Sequence, residues 1–147
     1  MTAKIAVAMA TMAFGVAVYL APVAATAGQA ASLADGVYTT EQAARGKSVY
    51  DDKCSVCHVD DLSGGGDGMA PSLAGRFFNK TWEGRTVAEL YAGTVMMPPG
   101  EEKTVSDQER IDIIAYVLSV NKFPAGAAPL EADMAKLKPL KLSFTQK

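Results

Sequence analysis

Cys54-Ser55-Val56-Cys57-His58 concentrates the reactive chemistry of this chain. It holds both of the chain's cysteines and its only histidine. Two thiols three residues apart share one helical turn, and each can add to a vinyl group of a haem. The histidine that follows is then placed to ligate the iron. This C-x-x-C-H spacing points to one covalently attached haem c. The competing readings are a redox dithiol or half of a zinc site, and neither explains the adjacent histidine.

A histidine on one side of an iron leaves the other side to be filled. With a single histidine, bis-histidine ligation within one chain is excluded, leaving methionine, lysine, water or nothing. Met69 lies 11 residues past His58 inside a glycine loop, and Met134 lies in the C-terminal tail. Met96 and Met97 follow His58 by 38 and 39 residues, enough chain to reach across a ring. They open the stretch Met96-Met97-Pro98-Pro99-Gly100, which two prolines keep out of a helix and make stiff. Met97, directly before Pro98, is the expected ligand, with Met96 turned away near the ring edge. Core filling by both methionines is the competing reading.

The elements that must position these groups can be read from their caps and periodicity. Thr39 and Gln42 have the spacing of a capping box, with Glu41 in the first turn of a helix that starts near Thr40. Ala43, Gly46, Val49 and Tyr50 form one face leading into the C-x-x-C-H turn. Gly46 inside that helix suggests a close crossing, because an uncompensated helical glycine costs about 1 kcal/mol relative to alanine. Residues 59–75 read as a loop broken by Gly64-Gly65-Gly66-Asp67-Gly68. No Lys-Ser or Lys-Thr follows those glycines, so they form no phosphate cradle. A second helix is expected from Thr86 to Gly93, with Gly93 as its stop. Ser106 and Glu109 begin the clearest helix, in which Ile111, Ile114, Ala115 and Leu118 form a stripe. Phe123-Pro124 ends it. Beyond lies a tail, residues 125–147, with spaced leucines and lysines, expected to lie extended across the domain or to be disordered.

The first 27 residues have the form of an export signal: Lys4, the uncharged run Ile5 to Val23, then Ala25-Thr26-Ala27 as a cleavage site. An uncleaved anchor is the alternative, since the run approaches the roughly 20 residues that span a bilayer. The expected layout is a signal at 1–27, a flexible lead-in at 28–37, one domain at 38–124 and an extension at 125–147. The expected location is the periplasm, with membrane contact only if the N-terminus is uncleaved. After cleavage 16 acidic residues face 13 basic ones, because Lys4 is the only charge removed. That balance argues against nucleic acid as a partner. Five aspartates (51, 52, 60, 61 and 67) against Lys53 form an acidic patch suited to steering a basic partner, or an ordinary solvated loop.

Taken together, the chain resembles class I c-type cytochromes over residues 38–124. The resemblance rests on Cys54-Ser55-Val56-Cys57-His58, Pro71-Ser72-Leu73-Ala74-Gly75, Met97-Pro98-Pro99-Gly100 and Ile114-Ala115-Tyr116-Val117-Leu118. It is similar in particular to small single-haem bacterial cytochromes and to cytochrome subunits of periplasmic dehydrogenases. The resemblance implies an all-α cytochrome c fold, three to five helices wrapped around one covalently bound haem. It implies that the Pro71 carbonyl accepts from Nδ1–H of His58, and that Gly46 and Tyr50 meet the last helix near Tyr116. Trp82 and Arg76 are candidate partners for a haem propionate; Trp82 as plain core is the alternative. The implied function is one-electron transfer rather than enzyme catalysis. Redox partners would be a dehydrogenase, a quinol-oxidising complex or a terminal oxidase. A dedicated subunit of such a complex is the nearest alternative, and a haem enzyme or gas sensor with open iron is a more distant one.

Overall fold

Side-chain caps decide where the helices of this chain begin. In the computed structural model, which describes residues 32–65 and 70–144, helix α1 runs Thr40–Lys53 and α2 Ser55–His58. Helix α3 follows at Gly75–Trp82, α4 at Val87–Val95, α5 at Asp107–Val120 and α6 at Met134–Leu137. Single 3-10 turns occupy Leu33–Asp35 and Glu102–Thr104. No strand forms among the described residues, so the all-α expectation holds, with four longer helices and two single-turn ones. The signal segment, residues 28–31, Asp67, Met69 and Lys147 lie outside the described residues.

Ser106 and Glu109 cap each other reciprocally: Ser106 N–H donates to Glu109 Oε2 at 2.7 Å, and Glu109 N–H to Ser106 Oγ at 3.3 Å. Thr86 and Glu89 do the same for α4. At α1 only half of the expected box forms. Thr39 Oγ1 accepts from Gln42 N–H, but the Gln42 side chain turns inward instead of returning to the cap. There its amide donates to Asp112 Oδ1 at 3.0 Å and to Leu130 O at 2.8 Å, and accepts from Leu130 N–H at 2.7 Å. A buried amide that satisfies all its partners is more valuable inside than at a solvated cap.

Helix α1 crosses α5 at Gly46. A methyl group there would fall inside van der Waals contact with the backbone of Asp112 and Ile113. One turn on, Tyr50 stacks tilted against Tyr116, ring centroids 5.4 Å apart. The stripe Ile111, Ile114, Ala115 and Leu118 is fully buried, and Ile113 and Val117 on its flanks are buried too. Two neighbours thus cover α5, which accounts for its apolar character around most of its circumference.

Three stretches differ from expectation. Gly93 does not stop α4, which continues to Val95; the glycine instead lines the cleft that Leu90 and Thr94 also face. Helix α3 falls at the end of the expected loop and beyond it. Of the two expectations for the tail, lying across the domain is the one its described length meets, with one helical turn, α6, added. Leu130, Leu137, Leu140 and Leu142 are buried, and the strand-like segment around Leu142 pairs with the α3–α4 connection. Gly84 N–H donates to Leu142 O at 2.8 Å, Leu142 N–H to Arg85 O at 2.7 Å and Val87 N–H to Leu140 O at 2.8 Å. Phe144 closes an edge-on aromatic cluster with Phe78 and Phe123. The described part of the lead-in is likewise packed: Leu33, Val37 and Tyr38 are buried, and Tyr38 Oη donates to Phe123 O at 2.6 Å.

Candidate haem site

The C-x-x-C-H segment is a continuation of α1 by one turn. His58 N–H donates to Cys54 O at 2.9 Å, so Cys54, Cys57 and His58 ride on a single short helical coil. Tyr50, buried in the α1–α5 crossing, donates its hydroxyl to Val59 O at 2.6 Å and fixes where that coil ends. Burial holds the Tyr50 phenol well above the ordinary tyrosine range, keeping it a donor.

His58 Nδ1 lies 2.8 Å from the carbonyl oxygen of Pro71. A carbonyl only accepts, so Nδ1 carries the proton and Nε2 keeps the lone pair a metal requires. The Pro71 loop is held in turn: Leu73 N–H donates to Leu62 O, and Asn121 Nδ2 at the end of α5 donates to Leu73 O.

Cys54, Cys57, His58, Pro71 and Met97 line one open cleft, which contains about 890 Å³ of atom-free space with its mouth included. Leu73, Trp82, Leu90, Val105 and Ile113 make its walls predominantly apolar. The two cysteines form no disulfide with each other. Burial pushes the Cys54 thiol up to about 11, with a smaller contribution from neighbouring Cys57. Among the described residues no three His, Cys, Asp or Glu side chains gather into a metal cluster. The donor set fits a covalently held haem: two thiols, one oriented imidazole, one thioether and a cleft wide and apolar enough for a flat hydrophobic ring.

The methionine loop joins α4 to α5. Met97 lines the cleft and is 38 % exposed, whereas Met96 is 65 % exposed and does not line it. The Met97–Pro98 peptide is cis. Trp82 lines the cleft and stacks on Phe78, centroids 5.8 Å apart, so it serves core and cleft at once. Arg76 is exposed and does not line the cleft; it sits one residue into α3, on a different face from Trp82. The cation beside the tryptophan is Arg85, whose guanidinium lies 4.2 Å from the ring centroid.

Sequence reasoning missed Arg110, which is 5 % exposed and lines the cleft. A signal was present: Arg110, Ile113, Ile114 and Val117 share one helical face, and a charge on a buried stripe demands partners. The acidic patch is also weaker than its composition suggests. Asp51 pairs with Lys47 at 2.6 Å and Asp52 with Lys53 at 3.0 Å. Asp61 is turned to its own loop, accepting from Ser63 N–H at 2.9 Å, and hydrogen bonding from Ser63 holds its carboxyl below the usual range.

No curated protein and no solved structure matches the chain. A family described as cytochrome c oxidase, cbb3-type, subunit III matches residues 41–117, from the first turn of α1 to the last turns of α5. That match spans more than half of the chain and encloses the thiols, the imidazole and the methionine loop, so this chain belongs to that family and is a class I c-type cytochrome.

Proposed function

We propose that this cytochrome carries one haem c and passes single electrons between redox proteins in the periplasm. Cys54 and Cys57 would attach the group, and His58 and Met97 would ligate its iron. The observation that carries the reading is the His58–Pro71 hydrogen bond at 2.8 Å, in a cleft that Met97 and both thiols also line. When bound, the haem supplies one-electron exchange between ferric and ferrous iron.

The chain's own residues do the rest. Pro71 fixes the tautomer of His58 and raises its basicity as a ligand. Leu73, Leu90, Val105 and Ile113 present apolar surface to the ring and would keep water from it, and thioether ligation by Met97 would favour the reduced state. With His58 and Met97 both holding the iron, no place would remain for a substrate, which is why the reading is electron transfer rather than catalysis. The N-terminal signal pattern supports export, and no helix among the described residues is long and apolar enough to cross a membrane.

Met97→Ala tests the ligand. The ferric protein should lose the weak red charge-transfer band of methionine-ligated haem and acquire carbon monoxide binding in the ferrous form. A wild-type protein that lacks the band and binds carbon monoxide readily would sink the carrier reading in favour of an open-iron enzyme or sensor. The family's description as an oxidase subunit supports a second reading, a dedicated subunit of a terminal oxidase or dehydrogenase. Size-exclusion of the native protein separates the two: a monomer favours the diffusing carrier, and co-elution with a large complex favours the subunit. N-terminal sequencing of the mature protein tests export; a start at Gly28 is expected.

A further inference from the structure

Arg110 is a buried cation with five donors and no acceptor, on the first turn of α5. Its Nη1 donates to the carbonyl of Thr94, in the last turn of α4, and to the carbonyl of Met97 at 3.0 Å. Its Nη2 donates to the carbonyl of Glu102 on the far side of the same loop. Among the described residues it forms no ion pair. One guanidinium therefore grips the methionine loop before, at and after Met97, and it does so from the wall of the cleft.

We propose that Arg110 is a positioning residue for the iron's methionine ligand: by tying three loop carbonyls to α5 it holds Met97 at the cleft and resists its replacement by outside ligands. The inference rests on the reading of Met97 as ligand. A fork of donors on rigid helix α5 removes freedom from a loop that otherwise has exposed residues on both sides of Met97. Charge-assisted hydrogen bonds are roughly twice as strong as neutral ones. Losing even one would change the ratio of closed to open loop by about tenfold or more. Lysine carries the charge but only a single ammonium, so it cannot reach three carbonyls with the same geometry. Methionine fills similar volume, and replacing a buried charge with an apolar side chain is often tolerated by the fold.

The test uses the haem-loaded full chain and measures imidazole binding to the ferric form, the red charge-transfer band and the unfolding midpoint. Arg110→Met should weaken the band and tighten imidazole binding about tenfold or more, with Arg110→Lys in between. Leu137→Ala, in the buried tail away from the loop, should lower the midpoint while leaving imidazole affinity at the wild-type value, which separates loop tethering from general destabilisation. If Arg110→Met does not accumulate as holoprotein, Arg110→Lys decides. Imidazole affinity within twofold of wild type, with the band retained, overturns the inference while leaving Met97 as ligand. A wild-type band that is absent, and unaltered by Met97→Ala, overturns the methionine reading itself and the tether with it.

Discussion

Helix α5 holds two regions through two polar side chains only two residues apart, and it holds them differently. At the crossing with α1, the buried Asp112 carboxylate accepts from Gln42 at 3.0 Å, from Arg45 at 2.8 and 3.2 Å and from Gln108 at 2.8 Å. Backbone contact at Gly46 and the Tyr50–Tyr116 pair support the same crossing independently. At the methionine loop, Arg110 alone reaches three carbonyls; Met97, Pro98 and Pro99 line the cleft, whereas Met96 is 65 % exposed. The crossing is over-determined, with charge, packing and backbone fit agreeing. The loop's other bonds are local, such as Glu101 N–H to Pro98 O and Gly100 N–H to the Glu102 carboxylate, so Arg110 is its polar tie to α5. The protein places its redundancy where the scaffold must not move and ties its methionine loop to that scaffold through one side chain.

The largest effect should come from forcing the crossing apart. Gly46→Ala puts a methyl into the Asp112 backbone and should lower stability by about 3 kcal/mol, read as a denaturant midpoint. The fraction that still folds should keep wild-type iron ligation. A near-wild-type midpoint would show that the helices are not fixed by close approach. Gln42→Ala comes next. It strips the Leu130 backbone and one Asp112 bond of their buried partner, at a cost of about 2 kcal/mol. Faster proteolysis within residues 125–142 should accompany it, since that bond secures the start of the tail. If the tail stays protected, the buried leucines alone hold it. Met96→Ala should have the smallest effect, under about 0.5 kcal/mol, with the red band unchanged. A lost band there would exchange the roles of Met96 and Met97 and redraw the loop side of the comparison.

What could be read from the sequence follows the same division. Ser106 with Glu109, the Gly46–Tyr50 face and the C-x-x-C-H turn are local patterns, and each lies where its pattern indicated. Helix α3 escaped because its N-cap, Ala74, offers no side-chain bond and its apolar face is carried by only Phe78 and Trp82, four residues apart. Gln42 was misplaced at a cap because its buried partners, Asp112 and Leu130, lie 70 and 88 residues away. The sequence left the tail open between lying across the domain and disorder for the same reason, since its pairing with Gly84, Arg85 and Val87 is entirely non-local. Arg76, suggested by the family resemblance, is exposed away from the cleft, whereas Arg85, three residues past Trp82, lies over its ring.

The bond between Gln42 and Leu130 also sets an order of events. As the chain is made, α1 and the C-x-x-C-H turn emerge long before the residues that satisfy Gln42, and the pairing of Gly84 with Leu142 waits longer still. Contacts of such long sequence separation form late, because closing the loop costs entropy before any contact rewards it. The thiols of Cys54 and Cys57 are therefore presented by a chain that has not yet closed its core, which leaves an interval for their modification before the tail seals the fold.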